Sequence, residues 1–245
     1  MISKNELKYI QSLYHKKTRD KEKLFIVEGP KMVAELLNSS FKIVKIWTTN
    51  EDWCAKYPSQ SFGLITPEVL GKASHLKTPN EILAVAAMPD ELPQPAATGK
   101  LILALDGIQD PGNMGTLIRI ADWFGVDAIV ASRDTADRFN PKVVQSTMGS
   151  LFRIPVSYTD LAAYLLSVNT PVFGALLSGS LLGSFPLQTP VSEGVLVIGN
   201  ESSGIRKELL PYITQAVKIP AFGKAESLNA AIAAAVLLGH FKISS

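Results

Sequence analysis

Chemistry-bearing side chains gather in three short stretches, and two of them directly follow an apolar run. The first is Asn113 to Arg119 (NMGTLIR). Asn113 offers a donor and an acceptor, Gly115 lets another backbone come close, and Arg119 carries a planar cationic fork suited to phosphate. The same residues admit a purely structural reading, in which Asn113 caps a helix and Arg119 pairs with Asp122. The second stretch, Gly199 to Gly204 (GNESSG), puts Glu201 just behind the apolar run ending at Ile198. Its spacing is not the GxGxxG fingerprint, and no acidic residue is placed for a ribose as that motif asks. The third runs from Ile219 to Phe241, the loop IPAFGKAE leading into SLNAAIAAAVLLGHF. Ser227 is placed to accept from the free N–H groups of a first helical turn, which predicts a helix starting there. Its interior of Ala230, Ala231, Ala233, Ala234 and Ala235 favours helix and allows a neighbouring backbone to pack closely.

Alternating strands and helices must hold these stretches. Leu101 to Leu105 is a continuous apolar run of the kind covered on both faces in a parallel sheet. Behind it, Leu117, Ile120, Ala121 and Phe124 share one helical face, closed by Gly125. Further strands are expected at Ala128 to Ser132, Phe152 to Val156, Val172 to Leu176, Val195 to Ile198 and Ala216 to Ile219, with a helix from about Thr159 to Ser167 and a Gly/Ser/Pro-rich connection before Val195. This pattern argues a doubly wound α/β domain with ligands at the carboxyl ends of its strands. The earlier part of the chain repeats the alternation on a smaller scale. Strands are expected at Leu24 to Val27, Ile43 to Thr48, Phe62 to Ile65 and Ile82 to Ala87, with helices around Met32 to Leu37 and Pro67 to Lys72. Strand, helix, strand in that order implies a right-handed crossover. Met88 to Lys100 (MPDELPQPAATGK) has no periodicity and three prolines, so the boundary falls there: residues 1–88, a linker at 89–100, and 101–245.

Bulk composition narrows the function classes. Of 245 residues, 24 are basic and 22 acidic, a net charge of +2, so any nucleic-acid binding must come from a local patch. The most basic stretch is the start, where Lys16, Lys17 and Arg19 lie near Tyr9 and Tyr14. It either clamps an RNA backbone, with the tyrosines free to stack, or forms a solvated helix face above Leu7, Ile10 and Leu13. The single cysteine, Cys54, excludes a disulfide framework and a multi-cysteine zinc site, and no metal is expected. There is no apolar signal core at the N-terminus, and the longest apolar run, Ala230 to Gly239, is roughly half a membrane span. A cytoplasmic location is expected.

Taken together, Asn113-x-Gly115-x-x-x-Arg119, Gly199-x-Glu201 with its later glycine, and Ile219-Pro220…Gly223…Ser227-Leu228-Asn229 resemble the three signature motifs of the SpoU/TrmH family of RNA ribose 2′-O-methyltransferases, of the SPOUT class. The resemblance covers Lys100 to Phe241, and FIVEGPKMVAELL (Phe25 to Leu37) with TPNEILAVA (Thr78 to Ala86) is similar to the family's L30e-like substrate-binding domain. One departure is Ala230-Ala231, where valine followed by serine or alanine is common. The resemblance implies an α/β domain with a parallel sheet and a deep trefoil knot, S-adenosylmethionine as cofactor, RNA as substrate, with ribosomal RNA favoured over tRNA, and a homodimer with active sites at its interface. It places Asn113, Arg119, Glu201, Ser227 and Asn229 in the catalytic site and Ile198, Gly199, Asn200, Glu201, Gly204, Ile219, Pro220, Ser227 and Leu228 at the cofactor.

A sulfonium is already a strong methyl electrophile, so positioning the 2′-oxygen matters more than side-chain chemistry. A guanidinium with a pKa above about 12 is a poor base, and Arg119 is therefore expected to hold a phosphate and stabilise developing alkoxide while the other four orient hydroxyl and cofactor. Lys16, Lys17, Arg19 and Arg119 are the expected RNA contacts. The alternatives are a tRNA 2′-O-methyltransferase or a non-catalytic RNA-binding protein of the same fold; a dinucleotide-dependent oxidoreductase would require a glycine fingerprint that is absent.

Overall fold

A computed structural model describes residues 2–182 and 191–243. In chain order the first part holds α1 (Lys4–Ser12), α2 (Lys16–Glu22), β1 (Leu24–Glu28), α3 (Pro30–Leu37), β2 (Ile43–Thr48), α4 (Asp52–Lys56), β3 (Phe62–Leu64), α5 (Pro67–Ala73) and β4 (Ile82–Ala87). There follow β5 (Leu101–Leu105), α6 (Pro111–Trp123), β6 (Ala128–Ser132), α7 (Pro141–Ser146), β7 (Val156–Thr159), α8 (Leu161–Leu166), β8 (Val172–Leu181), β9 (Gly194–Ile198), β10 (Gln215–Lys218) and α9 (Ala230–Ile243), with 3-10 turns at Ser150–Phe152 and Lys207–Tyr212. No helix among the described residues is long and apolar enough to cross a membrane.

The chain forms two compact units, Met1–Asp90 with Phe139–Arg153, and Glu91–Arg138 with Ile154–Ser245. The first has a four-stranded sheet in the order β1-β4-β2-β3. The expected crossover therefore does not join neighbours: β4 lies between β1 and β2 and is antiparallel to both. Its run Ile82 to Ala86 is buried along its whole length, which suits the central place. α1 starts from a capping box formed by Ser3 and Glu6, and Ile10 and Leu13 turn inward with no exposure, as the helix-face reading requires.

Arg19 contradicts its assignment as an RNA contact. It is 1% exposed and donates to the carbonyls of Leu13 (3.3 Å) and Tyr14 (2.9 Å). These carbonyls lie just past the end of α1, where no further turn supplies donors, so the guanidinium serves the backbone there. Lys16 and Lys17 are exposed, Lys16 pairing with Asp20 at 3.1 Å.

The segment Phe139–Arg153 was placed by its position in the sequence with the C-terminal domain, yet it packs in the first unit. Phe139 lies 4.6 Å from the Phe25 ring and Phe152 5.3 Å from Phe41, and Arg153 pairs with Glu35. The strand expected at Phe152 to Val156 begins only at Val156, because Phe152 belongs to this cluster and Pro155 has no N–H for a ladder. The supposed linker is also packed: Tyr164 donates to the carbonyl of Pro95 (3.0 Å), Gln94 to Thr159 (2.6 Å), and Ala97 is buried in the second unit's core.

That second unit is built on a six-stranded sheet, β10-β8-β9-β5-β6-β7, and every pairing in it is parallel. β5, β6 and β9 are buried at every residue, as their unbroken apolar runs predict. α6 and α9 pack on one another. Part of the Gly/Ser/Pro-rich connection, 183–190, lies outside the described residues.

Candidate active site

β5 and β9 are neighbours, so their carboxyl ends deliver the first two motifs side by side. After β5, Asp110 rather than Asn113 caps α6, its carboxylate accepting from the Asn113 N–H at 2.8 Å, with Pro111 at the first helical position. Asn113 thus sits in the first turn with its side chain released. Its amide nitrogen donates to Glu201, and its amide oxygen accepts from Asn229 at 2.9 Å.

The third motif differs from expectation by two residues. α9 starts at Ala230, and its cap is Asn229, whose side-chain oxygen accepts from the N–H groups of Ala231 (2.9 Å) and Ile232 (3.3 Å). Ser227 lies outside the helix and is exposed. The structure therefore brings Asn113, Glu201 and Asn229 into one hydrogen-bonded chain and places Ser227 nearby along the same loop.

Glycines shape the Glu201 loop. A Cβ on Gly199 would sit 2.2 Å from the Gly204 carbonyl carbon, so no side chain fits, and Gly204 itself has φ +67. Between them Asn200 accepts from the N–H of Ser202 (2.9 Å) and donates to the Gly107 carbonyl (2.7 Å). The far end of the loop is tied to β5. Asp106, whose side chain is fully buried, accepts from the backbone N–H of Arg206 (2.8 Å), from its Nε (2.6 Å) and from Nη2 (2.5 Å). Asp106 holds the Arg206 guanidinium above its ordinary pKa, and the Ser132 hydroxyl, with a smaller contribution from Arg206, draws the neighbouring Asp134 carboxyl below the usual range. This strut escaped the sequence reading; the only signal was an aspartate immediately behind an apolar strand.

Beside the cluster lies a cavity of about 580 Å³. All the residues expected at the cofactor line it, Glu201 and Ser227 among them. Ala175, Leu176 and Leu177 of β8 add an apolar wall that the motifs did not name, and β8 runs on to Leu181 rather than stopping at Leu176. Arg119 stands apart. It is exposed, lies six residues beyond Asn113 and so about 240° round the helix, and among the described residues bonds neither to Asp122 nor to the cluster.

Comparison with known proteins bears on this arrangement directly. Residues 100–239 match the model of the SpoU rRNA Methylase family. The chain belongs to that family. Residues 4–84 match an MRM3-like substrate binding domain. Among SpoU relatives, the 23S rRNA (guanosine(2553)-2′-O)-methyltransferase RlmP of Bacillus subtilis is 36% identical over 241 residues, 95% of this chain and 94% of the relative. A TrmH-family structure from Porphyromonas gingivalis superposes over the whole of both chains with a TM-score of 0.88 and 37% identity. An AdoMet-bound rRNA methyltransferase from Sinorhizobium meliloti covers 98% of this chain and 96% of its own, with a TM-score of 0.86 and 28% identity.

The cavity suits such a cofactor on its own terms. Its volume is that of a small-molecule site, its Leu176, Ile198 and Leu228 walls offer apolar cover for an adenosine, and the Gly199 and Ile219 loops present backbone rather than bulky side chains.

Proposed function

We propose that this SpoU-family protein transfers the methyl group of S-adenosylmethionine to the ribose 2′-hydroxyl of a nucleotide in ribosomal RNA. The observation that carries the reading is Glu201, which at once lines the cavity and is held by Asn113. The bound cofactor supplies an electrophilic methyl carbon; the protein supplies placement. Asn113 fixes one carboxylate oxygen of Glu201, leaving the other to accept from the ribose hydroxyl. Asn229, anchored by the first turn of α9, fixes Asn113 in turn. Ser227 lies at the cavity wall, in reach of whatever enters it.

Arg119 belongs to this chemistry through a second copy of the chain. Its separation from its own Asn113 cluster fits a homodimer in which the arginine of one copy serves the site of the other, binding the phosphate beside the target ribose. Trp123 (84% exposed), Ile232 (52%) and Val236 (40%) leave an apolar face on α6 and α9, more than a lone helix pair in water would carry, and a second copy would cover it. Lys16 and Lys17, exposed on α2, extend the RNA contact. We also assign the trefoil knot to the segment from β9 to α9, whose loops line the cavity. A reducing cytoplasm fits a chain whose single cysteine is free.

Calorimetric titration with S-adenosylmethionine, followed by transfer of labelled methyl to total RNA from cells lacking the protein, tests the proposal. Binding together with label at one alkali-resistant linkage is the expected outcome. Binding with label confined to tRNA would overturn the choice of substrate, and failure to bind the cofactor would overturn methyl transfer.

A further inference from the structure

Between β10 and α9 the chain runs for eleven residues, 219–229, without regular structure, and it forms one rim of the cavity. In the middle of that rim stands Phe222, 98% exposed. Among the described residues lining the cavity it is the only aromatic one. An exposed phenylalanine taken singly is ordinary, but this ring stands at the entrance to a ligand site, where it can meet the ligand or whatever the ligand reacts with.

Geometry separates those two candidates. The cofactor has apolar cover from the inner walls, Leu176, Ile198 and Leu228, whereas Phe222 is turned out to solvent. The ribose that accepts the methyl must come to Glu201, within the same cavity. Its base is attached at C1′, the carbon next to C2′, so when the 2′-oxygen is at the reaction point the base lies about one ring away, at the rim. Single-stranded RNA is read largely by stacking unpaired bases on aromatic side chains. Lys224, exposed two residues on, adds a cation suited to the adjoining phosphate.

We infer that Phe222 is the stacking platform for the nucleobase of the methylated nucleotide, a substrate-binding residue outside the polar cluster. The inference rests on the methyl-transfer reading of the cavity. Its test compares Phe222→Ala, Phe222→Leu and Phe222→Trp with the unaltered protein in three measurements: calorimetric affinity for S-adenosylmethionine, KM and kcat for methyl transfer to ribosomal RNA from cells lacking the protein, and oligomeric state by light scattering.

Alanine and leucine should both raise KM for RNA by about tenfold. Tryptophan should restore it, because the ring and not apolar bulk is required. Affinity for the cofactor and the oligomeric state should be unchanged in all three. An unaltered KM in Phe222→Ala would overturn the assignment. So would a parallel loss of cofactor affinity, which would place the ring on the cofactor, or a change of oligomeric state, which would place it against another copy of the chain. Absence of transfer by the unaltered protein would instead remove the functional reading beneath it.

Discussion

Arg206→Ala is the sharpest test of how the Glu201 loop is held. The substitution keeps the backbone N–H that Asp106 accepts at 2.8 Å and removes the guanidinium contacts at 2.6 and 2.5 Å. A carboxylate with no exposed side-chain surface is left with one donor from this partner. Removing one member of a buried pair costs roughly 3–5 kcal/mol. Here the arginine side is 39% exposed and partly screened, so the low end applies, about 3 kcal/mol. Against a typical stability of about 5–15 kcal/mol this is large. It should be plain in urea unfolding as a lowered midpoint. The cause can be separated from simple loss of packing by adding Asp106→Asn, which takes away the stranded charge. The double variant should recover about 1–2 kcal/mol relative to Arg206→Ala alone. Stability of Arg206→Ala within about 0.5 kcal/mol of the parent, or no recovery in the double variant, would refute the argument.

The polar chain gives a second set of expectations. Asn229→Asp keeps the cap acceptor at the start of α9 but loses the donor to Asn113, so thermal stability should hold within about 0.5 kcal/mol while kcat falls at least tenfold. Asn229→Ala should lose activity and about 1 kcal/mol of stability as well, read from the shift of the melting temperature. Gly199→Ala drives a Cβ into the Gly204 backbone and should abolish S-adenosylmethionine binding in calorimetry. Replacing Arg19 by methionine should lower stability without altering the salt dependence of RNA binding, since the side chain is buried; reversing Lys16 and Lys17 to glutamate should weaken RNA binding at low salt. Burial pushes the Tyr164 hydroxyl up to about 12, where it donates to Pro95. Because its folded pKa is raised, the stability it contributes is fully present below about pH 10 and is lost as pH rises toward 12, so alkaline unfolding should begin later in Tyr164→Phe if that hydroxyl drives it.

Local pattern carried much of the fold. Ile43–Thr48, Ile82–Ala87, Leu101–Leu105 and Ala128–Ser132 are strands over the very residues whose apolar runs were bounded by turn chemistry. What it could not carry were partnerships between distant parts of the chain. That β4 separates β1 from β2 depends on pairing across some forty to sixty residues, which no window of alternating residues encodes. Phe152 shows the same limit: it reads as the start of a strand, but it and Phe139 pack with Phe41 and Phe25, more than a hundred positions away. Arg19 looked like surface charge because charge is usually solvated; only the neighbouring helix end, with its unmet carbonyls, makes a buried guanidinium worthwhile there.

Three of the five polar residues that the motifs single out, Asn113, Glu201 and Asn229, meet in one cluster, but the bonds that join them were not legible in the sequence. Ser227 and Asn229 are both good caps, and propensity alone cannot choose between them. The choice follows from what the second end of the side chain must do. A hydroxyl at the cap would offer one small group to the helix, whereas the Asn229 amide spends its oxygen on Ala231 and Ile232 and still has a nitrogen to give Asn113. Asn113 repeats the arrangement, oxygen toward Asn229 and nitrogen toward Glu201. Neither amide can be turned over without setting donor against donor or acceptor against acceptor at both of its ends. The backbone of α9 thereby fixes the direction of Glu201 through two side chains, and the carboxylate reaches the cavity already oriented. An aspartate at position 229 would cap the helix equally well and still break the relay, which is why stability and turnover should part company there.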